Sequence, residues 1–125
     1  MLGILKAMLW YDLGRYEQSI KCCDKALEIN PKYEYAWAFK GDALSYLGRH
    51  EEAITCYDKA LEINSKYEYA WAFKGDALSG LSRYEETIKC CDKALEINSK
   101  SEVAWAFKGN SLSGLSRYEE SNRIL

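Results

Sequence analysis

Apolar residues recur every three or four positions along most of this chain, with charged and polar residues between them. From Glu34 to Leu47 the apolar positions are Ala36, Trp37, Ala43, Leu44 and Leu47. This spacing places their side chains on one face of an α-helix. The segment is therefore predicted to be an amphipathic helix, termed helix A.

A second apolar stripe follows after a short link. From His50 to Ile63 it consists of Ala53, Ile54, Tyr57, Ala60 and Leu61. The spacing is again helical, and two glutamates lie in the first turn, where carboxylates interact favourably with the helix dipole. This segment is predicted to be helix B. The link, Gly48-Arg49, is so short that helices A and B are expected to be antiparallel.

The pair of helices repeats along the chain with a period of 34 residues. Residues 37–45 return as residues 71–79 and, with two substitutions, as residues 105–113. Residues 34–67 and 68–101 are identical at 27 of 34 positions. Such self-similarity indicates stacked units, none of which can bury its apolar face alone. A binding surface is therefore the expected function.

These repeated residues resemble the tetratricopeptide repeat family. The matching positions are Trp37, Gly41, Leu44, Ala53, Tyr57 and Ala60 in one copy, and Trp71, Gly75, Leu78, Thr87, Cys91 and Ala94 in the next. The copies depart from the family at Lys40, Lys74 and Lys108, where it has Leu, and its closing Pro is present only as Pro31. Glycine within helix A costs about 1 kcal/mol relative to alanine, and close approach of helix B is expected to offset this cost.

The resemblance implies an all-α fold, a right-handed α-solenoid of antiparallel helix pairs with about three and a half repeats. We expect one domain over residues 1–125. Its repeats are predicted at residues 1–33, 34–67, 68–101 and, truncated, 102–125. This organisation predicts seven helices and the start of an eighth, in which Leu125 would lie.

Composition argues against several classes of function. The formal net charge of −2 provides no basic surface for a nucleic-acid backbone. No apolar run approaches the roughly 20 residues that a membrane-spanning helix needs. We therefore expect a cytoplasmic chain that binds neither nucleic acid nor membrane.

The five cysteines fall on two adjacent positions of helix B. They are Cys22, Cys23, Cys56, Cys90 and Cys91. No C-x-x-C occurs, and the single histidine, His50, occupies a position where the other copies have tyrosine. We interpret the cysteines as packing residues in a reducing compartment, and predict no metal, no cofactor and no catalytic site.

The resemblance also implies where a partner binds, because helix A lines the concave face in this family. It assigns to this groove Met8, Tyr11, Asp12, Tyr35, Ala38, Asp42, Ser45, Tyr46, Tyr69, Ala72, Asp76, Ser79, Gly80, Val103, Ala106, Asn110, Ser113 and Gly114. Such a lining is rich in tyrosine and weakly acidic. It favours a peptide or extended protein segment with basic or aromatic residues.

Chaperone-binding members of the family hold a C-terminal carboxylate with lysine and asparagine side chains. Here Ala38 and Ala72 occupy the lysine positions, and Asp42 and Asp76 occupy the asparagine positions. Two carboxylates repel an acidic tail. We therefore expect a non-enzymatic interaction scaffold that does not bind acidic chaperone tails.

Two alternatives to a peptide-binding scaffold fit the same sequence. Ile4, Leu5, Met8 and Trp10 are expected to be exposed without a polar cap, which indicates a piece of a longer array or a module that self-associates through its ends. The chain also fits the recruiting part of a larger enzyme. For the groove itself, the alternative is that its tyrosines only cover neighbouring helices and its aspartates are solvated charges.

Two further periodic positions are assigned to packing. Phe39, Phe73 and Phe107 are predicted to pack between successive A helices. Lys40, Lys74 and Lys108 are predicted to lie along the tryptophans, with their amines directed outward.

Overall fold

Seven α-helices follow one another in the structure, a computed structural model that describes residues 2–124. They are α1 (Leu2–Asp12), α2 (Tyr16–Ile29), α3 (Glu34–Tyr46), α4 (His50–Ile63), α5 (Glu68–Gly80), α6 (Tyr84–Ile97) and α7 (Glu102–Ile124). Each helix contacts the next, and α1, α3, α5 and α7 also contact one another in order. The predicted all-α architecture is thus confirmed. The ends of the predicted domain, Met1 and Leu125, lie outside the described residues.

Three tight turns connect helix A to helix B. Gly14 and Gly48 have φ angles of +74° and +78° in the first two turns, and Ser82 has a φ of +60° in the third. Glycine adopts this left-handed conformation readily, whereas for serine it costs on the order of 1 kcal/mol. The third turn therefore keeps its shape at the expense of local strain.

The tryptophan of helix A fixes the linker before it. In each of three repeats its indole nitrogen donates a hydrogen bond to the main-chain carbonyl six residues earlier. The pairs are Trp37 with Pro31 (2.9 Å), Trp71 with Ser65 (2.9 Å) and Trp105 with Ser99 (3.0 Å). The same bond thus sets the path from one repeat to the next.

Glycine in helix A allows helix B to approach closely, as predicted. A methyl group at Gly41 would lie 2.9 Å from the ring of Tyr57, and one at Gly75 would lie 3.3 Å from the carbonyl oxygen of Thr87. Tyr57 and Thr87 are fully buried. Close packing therefore offsets the low helix propensity of these glycines.

The periodic lysines join one repeat to the next. The ammonium of Lys40 lies 5.8 Å from the centroid of the Trp37 ring and 2.7 Å from a carboxylate oxygen of Asp24 in the preceding repeat. The equivalent pairs, Lys74 with Asp58 and Lys108 with Asp92, are also 2.7 Å apart. The lysines lie over the tryptophans as predicted, but their amines end on an aspartate of the previous helix B.

The predicted start of an eighth helix is wrong, because α7 continues through residues 115–117 without a turn. The same three residue types turn at residues 81–83, where Ser82 takes its strained conformation and α6 packs on α5. After Ser116 the equivalent packing positions hold Ser121 and Asn122, which offer less apolar surface to offset the strain. Continuing the helix satisfies the backbone without a strained residue.

The first helix differs from prediction at two positions, Ile4 and Trp10. Ile4 is only 7% exposed because it packs with Leu27 and Ala36. Leu5 and Met8 are exposed, as expected, whereas Trp10 is half-buried. Among residues 2–124 there is no helix with the length and apolar character needed to cross a membrane.

Candidate groove site

A cavity of about 580 Å³ lies where α1, α3, α4, α5 and α7 come together. Its lining consists of Tyr11, Asp42, Ser45, Tyr46, His50, Tyr57, Tyr69, Phe73, Asp76 and Phe107. Aromatic rings form most of its walls, and two carboxylates and several hydroxyl groups supply the polar contacts. Its volume and its mixture of aromatic walls with a few polar groups are typical of ligand-binding pockets in proteins.

Asp42 forms the buried polar centre of this site. Its two carboxylate oxygens accept hydrogen bonds from the phenols of Tyr57 and Tyr69, the latter at 2.5 Å. Asp42 is only 4% exposed. Burial raises its pKa to about 6; the two tyrosine hydrogen bonds limit the rise, and the charge of Asp76 adds to it. Asp42 therefore serves mainly to hold the tyrosines in place.

Asp76 occupies the equivalent position in the third repeat but has a different environment. The corresponding helix B residue is Cys91, which has no phenol to donate. Asp76 remains accessible in the cavity wall. Desolvation by the neighbouring walls raises its pKa, and the nearby His50 opposes this shift. Asp76 is thus the carboxylate that a ligand can reach.

The aromatic residues form two contiguous groups around the cavity. At its N-terminal side Tyr16 stacks on Tyr46, with ring centroids 5.0 Å apart, and Tyr11 packs edge-on against both. On the other side Phe73 stacks on Tyr69 at 4.2 Å and meets Phe107 edge-on at 5.3 Å. The predicted packing of phenylalanines between A helices is confirmed for this pair, although both rings also face the cavity.

His50 enters the cavity from the start of α4. Its Nδ1 lies 3.5 Å from the hydroxyl of Ser45, and its ring lies against Gly80, where an added methyl group would approach to 2.7 Å. Tyr84 makes the same contact with Gly114 one repeat later. The small residue at the end of one helix A thus accommodates the ring at the start of the preceding helix B.

The structure brings only part of the predicted groove lining into this cavity. Six of the residues line it, namely Tyr11, Asp42, Ser45, Tyr46, Tyr69 and Asp76. Apart from Ala38 and Ala72, ten others do not, and they are Met8, Asp12, Tyr35, Ser79, Gly80, Val103, Ala106, Asn110, Ser113 and Gly114. Ala38 and Ala72 are buried and therefore leave no open space for a ligand.

Four cavity residues were not among the sequence-based candidates. They are His50, Tyr57, Phe73 and Phe107. Tyr57 and the two phenylalanines follow the apolar periodicity of core positions, which does not distinguish a ring that borders a cavity from one enclosed in the core. For His50 a signal exists, since it replaces a tyrosine of the other repeats at a position next to the groove.

The cavity has the chemistry to hold a cationic or aromatic side chain. Its polar groups are carboxylates, hydroxyls and one imidazole, and no lysine or arginine is among its lining residues. Ring faces attract cations, and a low-dielectric wall strengthens the attraction. Within residues 2–124 no group of three or more histidine, cysteine, aspartate or glutamate side chains has the arrangement to hold a metal ion.

Comparison with known sequences identifies the repeats. A family model described as tetratricopeptide repeat matches residues 4–33 and 34–67, and a second model with the same description matches residues 68–101. No curated protein sequence matches the chain.

Solved structures of similar fold cover nearly the whole chain. The first TPR domain of human RPAP3 has a TM-score of 0.92 and 22% identity, over 96% of this chain and 94% of that one. The first TPR of Spaghetti (RPAP3), bound to the HSP90 peptide SRMEEVD, has a TM-score of 0.88 and 21% identity, over 92% and 91%. For the Sgt2 TPR domain from Aspergillus fumigatus the TM-score is 0.87 and the identity 22%, over 97% and 80%.

Proposed function

Because the chain belongs to the tetratricopeptide repeat family, we propose that it is a non-enzymatic scaffold that binds a peptide or extended segment of another protein. The observation that carries the proposal is the aromatic and acidic cavity formed by residues of all four repeats. A structural relative, the first TPR of Spaghetti (RPAP3), is bound to a peptide. The same architecture supports a peptide-binding role here.

The charge of the cavity favours a basic or aromatic anchor on the partner. Asp76 is accessible, Phe73 and Phe107 offer ring faces, and the lining contains no lysine or arginine to hold an acidic group. An incoming lysine or arginine would pair with Asp76 and lie against the rings. We therefore propose a preference against acidic tails, although the Spaghetti relative is bound to the acidic peptide SRMEEVD.

Selection from a random heptapeptide library on the immobilised chain tests both points. We expect the retained peptides to be enriched in lysine, arginine and aromatic residues. Titration calorimetry of the best peptide should show about fivefold weaker binding to Asp76→Asn and no change for Glu28→Gln, an exposed carboxylate outside the cavity.

The two parts of the proposal fail in different ways. Enrichment of acidic peptides, or tight binding of SRMEEVD itself, would show that the charge preference is wrong while the groove still binds. If no peptide is retained, or if Asp76→Asn, Phe73→Ala and Glu28→Gln all bind the selected peptide as the native chain does, the groove is not the binding site.

A second candidate function is self-association through the solenoid ends. Leu5, Leu9 and Leu13 on α1 and the turn after it are 58%, 59% and 62% exposed, an apolar surface that another protein chain would cover. Light scattering across a concentration series tests this candidate. If the native chain and the double variant Leu5→Gln/Leu9→Gln have the same mass in solution at every concentration, the chain does not associate through α1.

We also propose that the chain works in the cytoplasm. Its five cysteines are free thiols, and four of them are buried. Burial raises the pKa of Cys23 to about 12 and that of Cys56 to about 11, which keeps both thiols protonated and unreactive. Free thiols in this number suit a reducing compartment. Fluorescence microscopy of the tagged chain in its source cells checks this location.

A further inference from the structure

His50 differs in chemistry from the residues that share its position in the other repeats. These residues are Tyr16, Tyr84 and Tyr118. Tyr84 lies against Gly114, where an added methyl group would approach its ring to 2.8 Å. His50 lies in the same way against Gly80, at 2.7 Å. A tyrosine thus fits beside a glycine at this position, and packing alone does not require the histidine.

The imidazole of His50 spans the space between two walls of the cavity. Its Nδ1 lies 3.5 Å from the hydroxyl of Ser45 on α3, while its Cε1–Nε2 edge lies against Gly80 on α5. Asp76 is four residues before Gly80, and residues with this spacing share one face of a helix. The Nε2 edge therefore lies on the side of α5 that carries Asp76, and both side chains line the same cavity.

The charged groups around His50 lie either outside the cavity in ion pairs or within its lining. Beside His50 on α4, Glu51 pairs with Arg83 at 4.0 Å. Glu52 pairs with Arg49 at 2.5 Å. The titratable groups that the surrounding helices contribute to the cavity are Tyr11 of α1, Asp42 and Tyr46 of α3, Tyr57 of α4, and Tyr69 and Asp76 of α5. Among the described residues that line the cavity, His50 is therefore the one that can gain a positive charge.

We propose that His50 determines the specificity of the groove for a cationic anchor. As a neutral imidazole it accepts a hydrogen bond from an arginine or lysine that is paired with Asp76. As an imidazolium it has no acceptor nitrogen, repels the anchor and pairs with Asp76 itself. This role rests on the proposed function, in which a basic side chain of the partner is the anchor.

Protonation of His50 would place a positive charge where the basic anchor is held. Imidazoles ordinarily gain their proton near pH 6.5, so a small change around neutral pH alters the charge of such a site. Two like charges about 4 Å apart repel each other enough, even with the screening of bulk water, to weaken binding about fivefold. Binding of a basic partner should therefore weaken as the pH falls below neutrality.

Titration calorimetry at pH 7.5 and pH 5.5 tests this role. The probe is the peptide Gly-Gly-Phe-Arg-Phe-Gly-Gly with both ends blocked, whose guanidinium keeps its charge over this range. We expect its affinity for the native chain to fall about fivefold more than its affinity for His50→Gln. The loss that remains in His50→Gln reports protonation of Asp42 and Asp76, the pKa values of which are both raised.

A second variant and a second peptide provide the controls. His50→Tyr, which restores the residue of the other repeats, should respond to pH as His50→Gln does. The same peptide with neutral citrulline in place of arginine should lose equal affinity for the native chain and for His50→Gln. Helical circular dichroism at both pH values verifies that each chain is folded.

The outcomes separate the role of His50 from the function of the groove. If the arginine peptide loses equal affinity for the native chain and for both variants, the role of His50 is wrong and the groove still binds basic partners. A citrulline peptide that loses as much affinity for the native chain as the arginine peptide would also overturn this role, because the charge of the anchor would not matter. If the arginine peptide does not bind the native chain at pH 7.5, the cationic preference is wrong and the role of His50 is wrong with it.

Discussion

The phenol of Tyr69 donates a hydrogen bond to Asp42 across the boundary between the second and third repeats. Tyr57, from the same repeat as Asp42, donates to the other carboxylate oxygen. The two phenols provide hydrogen bonds that replace part of the hydration the carboxylate loses on burial. The floor of the groove is thereby shared between two repeats.

Tyr69→Phe should lower the free energy of unfolding by about 1.5–3 kcal/mol at neutral pH, because it removes a hydrogen bond to a buried charge. It should also raise the pKa of Asp42 above its value of about 6, since the lost bond favours the charged form. Urea unfolding and an NMR titration of Asp42 measure the two effects. Tyr35→Phe, at a ring 47% exposed, is the control, and a loss as large as that of Tyr69→Phe would contradict the assignment.

Lowering the pH should increase the contribution of Asp42 to stability, which is the opposite of what carboxylates contribute in ordinary acid unfolding. The pKa of Asp42 is raised to about 6 in the folded chain, above the value of about 4 for an unfolded aspartate. The folded state therefore binds more protons between these values, and its free energy of unfolding increases as the pH falls through this window. The gain from this one group is at most about 3 kcal/mol between pH 7 and pH 4.

Urea unfolding of the native chain and of Asp42→Asn over this pH range isolates the contribution of Asp42. The free energy of unfolding of the native chain minus that of Asp42→Asn should shrink or reverse in sign as the pH rises through about 6. If the free energies of unfolding of the two chains change with pH in parallel, the Asp42 carboxylate is not buried in solution.

Alanine should have opposite effects at two glycines that occupy the same position of the 34-residue period. At Gly41 the new methyl group would lie 2.9 Å from the Tyr57 ring, and such overpacking typically costs about 1–3 kcal/mol. At Gly109 the methyl group meets no atom within 4 Å, and the better helix propensity of alanine should add about 0.5–1 kcal/mol. Thermal unfolding measures both effects. Destabilisation by Gly109→Ala would show that another group covers Gly109 in solution.

Ser111→Ala should stabilise the chain by about 1 kcal/mol or more. The side chain is fully buried and its hydroxyl has no hydrogen-bond partner, while Ala43 and Ala77 occupy the same position in other repeats. Removing an unsatisfied buried hydroxyl relieves its desolvation penalty. The exposed Ser113→Ala reports the gain from helix propensity alone. Equal gains from the two substitutions in urea unfolding would mean that Ser111 is satisfied in solution.

The helices and their stacking could be predicted from the sequence because each depends on local patterns that recur at a fixed period. Trp37, Gly41 and Tyr57 occupy positions whose packing follows from the helical spacing alone. Within helices α3 to α6 the predicted and observed segments agree closely. The continuous α7 could not be predicted this way, because residues 115–120 and 81–86 are identical and only their neighbours in space differ.

The candidate site was harder to predict, because the same residue has different roles in different repeats. Asp42 and Asp76 share one position in the 34-residue period, yet only Asp42 is buried. The difference comes from two neighbours, since Tyr57 is replaced by Cys91 and Tyr69 by Val103 in the next copy. An alignment of the repeats contains both substitutions, but their effect appears only when the two helices are placed side by side.

The three lysine–aspartate pairs make the junctions between repeats chemically interchangeable. Each junction joins one helix B to the next helix A through the same atoms at the same 2.7 Å. An additional 34-residue unit inserted between residues 67 and 68 would find the same ion pair and the same tryptophan contact on both of its sides. The groove is therefore extensible in whole units, and its length is a property that gene duplication can change without altering any existing junction.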